Sequence, residues 1–74
     1  MLITVSLHGI FRTNRFKQKI LEYPEGSSAQ KVIDDLQIPA RLLGIILING
    51  THANSDNILH AGDTLMLLPL LDGG

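Results

Sequence analysis

Few residues in this 74-residue chain combine reactivity with a spacing that could use it. His8, His52 and His60 show no tight metal-ligand spacing, such as i, i+4 on a helix, so no metal site is expected. Ser27 and Ser28 have no histidine close in sequence, and hydroxyls ahead of a helical pattern are expected to cap it. Asp34 and Asp35 are adjacent on that helix, diverge by about 100° and cannot act as a close carboxylate pair. Asp63 follows Gly62 and reads as a turn residue. No catalytic residue is expected. What remains is the end of the chain, LLPLLDGG, closing on Gly73-Gly74. Two glycines cannot pack, and at a terminus they are expected to be mobile. Either this is a frayed end or an arbitrary boundary, or the carboxylate of Gly74 is itself the working group.

Composition sets the frame for that choice. The length fits one domain, 1-74, with a flexible tail expected over 69-74. A domain this small buries only about 60% of its unfolded surface and needs a dense core. There are no cysteines, so neither disulfides nor thiolate metal sites can staple it, and 45% hydrophobic content must suffice. A formal net charge of −1 argues against a nucleic-acid binder, and the short basic stretch of Arg12, Arg15, Lys17 and Lys19 suits a solvated strand or loop. There is no apolar run long enough to span a membrane and no secretory pattern, so a cytoplasmic location is expected.

The elements that position the tail follow from periodicity. Leu2 to Leu7 alternates as a half-buried strand, and Gly9 and Asn14 bracket a loop. Arg15 to Tyr23 reads as a second strand, ended by Pro24-Glu25-Gly26. Ala29, Val32, Ile33 and Leu36 fall at helical spacing; Ser28 is a natural N-cap, and a capping box of Ser27 with Gln30 is the alternative start. Pro39 forbids continuation. Leu43 to Ile48 is a strand, Asn49-Gly50 a hairpin turn, Thr51 to Ala53 a short return strand. Thr64 to Leu68 is an almost unbroken apolar strand and so a central one. One helix cannot cover two sheets. The expected fold is α+β, one mixed sheet of four to five strands with the helix across one face, and the first and last strands side by side and parallel.

In this order the pieces resemble the ubiquitin-like β-grasp sulfur carriers, the molybdopterin synthase small subunit and the thiamine-biosynthesis sulfur carrier. The resemblance spans nearly the whole chain: LHGIFR (7-12), PEGSSAQKVIDDL (24-36), IILING (45-50), AGDTLMLLP (61-69) and the terminal Gly73-Gly74. The first loop and its Arg12 lean toward the molybdopterin branch. Asp72 stands before the diglycine where small or neutral residues are commoner in that family, and Leu70 and Leu71 stand where a second proline or small residue often lies.

The resemblance implies a carrier rather than an enzyme, with no bound cofactor. An adenylating (E1-like) enzyme would use ATP to activate Gly74, a sulfur donor would displace AMP, and the resulting thiocarboxylate would deliver sulfur inside a second enzyme. That enzyme is a larger synthase subunit, with which the chain could form a heterotetramer, or a thiazole synthase. Gly73, Asp72 and Leu71 would thread the partner's active site, where a thin chain free in φ/ψ is needed and water must be kept out. No nucleic-acid or membrane partner is expected. Alternation adds an interface: if Leu65, Leu67, Ile46 and Ile48 meet the helix, then Met66, Leu68, Ile45 and Leu47 lie on the uncovered face and, with Pro69, form a candidate partner surface. Two alternatives stay open. One is a protein modifier that passes the activated Gly74 to a lysine amine, and the other is a β-grasp module that docks without conjugating.

Overall fold

Strand β1 (Leu2–Leu7) alternates as its sequence demands, with Ile3, Val5 and Leu7 fully buried. The computed structural model describes residues 1–70. After β1 come β2 (Gln18–Glu22), helix α1 (Ala29–Asp35), β3 (Leu43–Ile48), β4 (Thr51–His52) and β5 (Thr64–Pro69), with 3-10 turns at Gly9–Arg12 and Ala40–Leu42. The strands form one five-stranded sheet in the order β2-β1-β5-β3-β4. The central pair, β1 and β5, is parallel, and the other pairings are antiparallel. This is the mixed, one-helix β-grasp arrangement expected from the sequence.

Helix α1 is only seven residues long, too short to hold itself together in water, so its ends and its packing carry it. Of the two candidate starts the structure takes Ser28, whose Oγ accepts the Lys31 backbone N–H at 3.3 Å. The Ser27 hydroxyl is spent on the Pro24 carbonyl, to which it donates at 2.7 Å. At the other end Gln37 takes a left-handed φ of 56°, and the N–H groups of Gln37 and Ile38 donate to the carbonyls of Asp34 and Ile33. These are the paired bonds of a Schellman ending, with buried Ile38 and Ile33 closing it. Ala29, Val32 and Ile33 form the buried stripe and meet Leu65, Leu67 and Ile46 of the sheet in one core.

The second strand is shorter than its sequence suggests. Arg15 to Tyr23 reads as one strand, yet pairing begins at Gln18. The reason is that Arg15 is committed elsewhere. Its guanidinium donates to the carbonyls of Leu36 (3.0 Å), Gln37 (3.1 Å) and Phe11 (3.3 Å). It thereby satisfies carbonyls around the end of α1 and brings a positive charge to the negative pole of the helix. The chain between β1 and β2 instead makes the 3-10 turn, which drives Phe11 into the core at 1% exposure. The return strand after Asn49-Gly50 is likewise two residues rather than three, although Ala53 N–H still donates to the Ile46 carbonyl at 3.0 Å. Strand β5 runs one residue beyond its expected end, to Pro69.

A side-chain clamp ties the β3–β4 turn to the start of β5. Asn49 Nδ2 donates to Asp63 Oδ1 at 2.9 Å, and Asn49 Oδ1 accepts the Thr64 N–H at 2.9 Å. Asp63 Oδ2 accepts the His60 N–H at 2.8 Å. That backbone bond above all, with help from Asn49 and the nearby His60 ring, holds the Asp63 carboxyl below its ordinary value of 3.8.

Tyr23 is the one tyrosine of the chain. Burial first, then its hydrogen bond to Asp35 Oδ2 (2.9 Å) and that carboxylate's charge, push its phenol up from 10.0 to about 12. A raised folded value means that the neutral phenol stabilises the fold fully below pH 10.0 and that this contribution is lost as pH climbs through about 12. Tyrosinate absorbance reads this group alone. Its midpoint is expected near 12 in the folded chain, to fall part of the way in Asp35→Asn, and to return to about 10 in denaturant. A folded-state midpoint near 10 would refute the Tyr23–Asp35 contact.

Candidate functional site

The sheet has two faces and α1 covers one of them. Register places Met66 of β5 between Ser6 of β1 and Leu47 of β3, and Leu68 beside Ile45. These residues share the face turned from the helix, whereas Leu65 and Leu67 on the other face are fully buried. Met66, Leu68 and Leu47 are half-buried, and Ile45 is 39% exposed. The same parity carries the face outward through Thr4 and Thr64 to Leu2 (57% exposed) and Ile20 (64% exposed). Ser6 is the polar exception at its centre: it is buried, with its Oγ 3.4 Å from His8 Nε2. The result is a continuous apolar strip on β3 and β5, flanked by small polar residues of β1.

The strip ends where the last residues depart, and that point is built with care. Pro69 pairs with Leu43 across a bulge between Leu43 and Ile45, and Leu70 N–H donates to the Leu42 carbonyl at 2.8 Å. Gly44 sits in the bulge because nothing larger fits. A Cβ there would stand 2.9 Å from Leu70 N and from the carbonyl carbon and oxygen of Pro69. On the other side Gly9, at φ +56°, turns the chain out of β1 so that a Cβ on it would meet Pro69 Cγ at 3.0 Å. His8 N–H donates to the Leu67 carbonyl at 3.2 Å, and Arg12 Nε to the Leu7 carbonyl at 2.8 Å. Pro69 and Leu70 are therefore gripped between two turns: of the expected tail, 69-74, Pro69 is held in β5 and Leu70 by the Leu42 carbonyl. Leu71, Asp72, Gly73 and Gly74 lie outside the described residues.

The other reactive side chains are distributed through the fold. Asp34 Oδ1 accepts from Gln30 Nε2 at 2.7 Å, Asp35 takes the Tyr23 hydroxyl, and Asp63 serves the clamp. His60 Nδ1 stands 3.9 Å from Asp63 Oδ2. Among the described residues no three His, Cys, Asp or Glu side chains gather where a metal ion could be held. None of their helices is long and apolar enough to cross a membrane.

The sequence reading named Met66, Leu68, Pro69, Ile45 and Leu47, and the structure gathers all five along β3 and β5. It gave no site role to Gly44, Gly9 or Leu70, which build the Pro69–Leu70 root. A signal for Gly44 was present: a glycine inside an apolar strand marks a bulge or a close backbone approach. Gly9 read only as a loop residue, because its partner Pro69 is sixty residues away in sequence. Ile20, which widens the face, was hidden because Gln18 to Glu22 alternates weakly, and Leu2 joins it only through the pairing of β1 with β2.

Likeness to solved structures is at the level of fold. The chain resembles a Pyrococcus furiosus protein considered to be molybdopterin converting factor subunit 1, with TM-score 0.78 and 20% identity over 93% of this chain and 97% of that one. Small archaeal modifier protein 1 of Haloferax volcanii gives TM-score 0.74 at 18% identity, over 92% of this chain and 95% of that one. A chain from the complex of subunits 1 and 2 of molybdopterin-converting factor from Helicobacter pylori 26695 gives TM-score 0.67 at 19% identity, over the full length of both. Comparison with curated protein sequences finds no match. Residues 6–74, nearly the whole chain and its diglycine end included, match the ThiS family. A single-helix β-grasp sheet with an apolar face leading to a gripped tail root is thus found in a chain that belongs to the ThiS family.

Proposed function

We propose that this protein is a sulfur carrier in which the carboxyl group of Gly74 is the reacting centre and the folded domain is the handle by which partners grasp it. The observation that carries this reading is the apolar strip of Met66, Leu68, Ile45 and Leu47 running directly to the anchored Pro69–Leu70 root. A partner seated on the strip would meet the chain end at the fixed Pro69–Leu70 root.

The chemistry follows from the group. A carboxylate is a poor electrophile. Attack of a Gly74 carboxylate oxygen on the α-phosphate of ATP, in an adenylating enzyme, would form an acyl-adenylate and release pyrophosphate. A sulfur donor would then displace AMP and leave a thiocarboxylate, a nucleophile fit to hand sulfur to a substrate in a second enzyme. Both steps demand an enclosed, water-poor site, which a diglycine can enter where bulkier residues would jam. The chain itself acts as substrate and subunit rather than as the catalyst. Among acceptors, the molybdopterin branch is favoured over thiamine. One structural neighbour is described as molybdopterin converting factor subunit 1, and another comes from a complex of that factor's subunits 1 and 2. By that analogy the strip seats a larger synthase subunit. A second reading is supported by the likeness to small archaeal modifier protein 1: transfer of the activated Gly74 to a lysine amine of a target protein.

Three outcomes are expected. Incubation with ATP, a cognate adenylating enzyme and a sulfide donor is expected to raise the intact mass by one sulfur-for-oxygen exchange, located on Gly74. A heavier isopeptide adduct would favour the modifier reading, and an unchanged mass would refute both. Met66→Lys and Leu68→Lys are each expected to weaken partner binding by about tenfold or more, since a buried cation at an interface centre is costly, while leaving the thermal melt within a few degrees. Normal binding by both in calorimetry would show that partners use another face. Gly44→Ala is expected to push the tail root aside. Destabilisation of about 1–3 kcal/mol from overpacking, together with at least about tenfold slower adenylation at saturating partner, would mark Gly44 as the residue that aims the tail. Unchanged adenylation would remove it from that role.

A further inference from the structure

The clamp between Asn49 and Asp63 has a chemical consequence separate from the carrier reading. We propose that Asn49-Gly50 is a latent deamidation site that Asp63 and Thr64 hold shut in the folded chain. The chain has four asparagines, Asn14, Asn49, Asn54 and Asn57, and they precede arginine, glycine, serine and isoleucine respectively. Only Asn49 is followed by a residue with no side chain to shield its amide nitrogen and with the backbone freedom to bring that nitrogen inward. Asn49 and Gly50 are both exposed, so water reaches the turn.

The reaction is intramolecular. The deprotonated backbone nitrogen of Gly50 attacks Asn49 Cγ, the Cγ–Nδ2 bond breaks, and the nitrogen leaves as ammonia. The five-membered succinimide is then opened by one water at either carbonyl, giving aspartate or isoaspartate. The net change is amide plus water to acid plus ammonia, with nothing oxidised or reduced.

Two opposing effects act on the carboxamide in the fold. The Thr64 N–H on Oδ1, at 2.9 Å, would by itself polarise the carbonyl and favour attack. Against this, the bond from Nδ2 to the Asp63 carboxylate, also 2.9 Å, keeps electron density on the nitrogen that must leave, and the two bonds together fix the plane of the amide against β5. Ring closure needs that plane to turn toward Gly50 N, so both bonds must be given up. The backbone is held as well: Asn49 and Gly50 stand at φ 53° and 81°, and Asn49 N–H donates to the Thr64 carbonyl at 2.9 Å. Restraint outweighs polarisation because the attacking atom has to arrive before an activated carbonyl matters.

Opening the clamp also makes the damage lasting. An aspartate at position 49 would face Asp63 with a carboxylate where a donor stood, and like charges at that distance repel. Isoaspartate would add a methylene to the backbone at position 49, where the bond from Asn49 N–H to the Thr64 carbonyl continues the register of Ile48 against Leu65. The strip on β3 and β5 depends on that register.

The test compares the intact chain, Asp63→Ala, Asp63→Asn and Ile33→Val with a free peptide of residues 46–53, all at neutral pH. Peptide mapping with isoaspartate detection follows position 49, and circular dichroism confirms folding throughout. Ile33→Val lowers global stability without touching the clamp. The folded chain is expected to deamidate at least about tenfold more slowly than the peptide, and Ile33→Val to match it. Asp63→Ala is expected to be several-fold faster than the intact chain, and Asp63→Asn, which keeps an acceptor of similar size, to lie between. An intact chain as fast as the peptide would overturn the proposal. So would folded Asp63→Asn at the intact chain's rate with folded Asp63→Ala no faster than Ile33→Val.

Discussion

The parallel pairing of β1 with β5 is the constraint on which the rest of the molecule depends. Thr4 to Leu7 lie beside Thr64 to Leu67 in register, so the C-terminal ends of the first and last strands emerge at the same end of the sheet. Parallel neighbours cannot be joined by a tight turn, and the intervening chain, helix included, has to cross over one face. That crossover covers one side of the sheet and leaves the other open. The turn leaving β1 and the residues leaving β5 are then unavoidable neighbours, and Gly9 meets Pro69 for that reason. Both halves of the candidate site, the open apolar strip and the gripped root, come from this single pairing.

A domain with no disulfide and a seven-residue helix has to find its remaining stability in well-placed polar bonds. Arg15 binds the end of α1 and the turn after β1 together, so the loop beside the tail root is fastened to the core's covering element. Asn49 and Asp63 fasten the far end of β3 to the start of β5. With Tyr23 on Asp35 and Ser28 at the helix start, many of the side chains with chemical potential are engaged in holding the fold.

Much of this architecture was legible in the sequence. Alternation in LITVSL and the almost unbroken apolar run of TLMLL identified the two central strands, because both patterns belong to neighbouring residues and do not depend on distant contacts. Val32, Ile33 and Leu36 with Ser28 and Pro39 bounded the helix for the same local reason, and Asn49-Gly50 announced a turn that needs positive φ twice. The failures were equally physical. Arg15 to Lys17 looked like strand because nothing local revealed that Arg15 would be drawn to the carbonyls of Leu36 and Gln37, about twenty residues away. Met66, Leu68, Ile45 and Leu47 were assigned to one face by parity, while the share of that face belonging to Leu2 and Ile20 depended on a register that sequence does not display.

By itself the sequence determined the strand and helix periods, the turn types and the chemical character of a diglycine end, since each is a property of neighbouring residues and their allowed backbone angles. Tertiary structure alone decided that Gly44 must lack a side chain, that Asp63 is a clamp rather than a simple turn residue, that Pro69 belongs to the sheet and that Leu70 is bonded to Leu42. Those facts rest on atoms brought within about 3 Å from positions far apart in the chain, and no local pattern of residues encodes such an encounter.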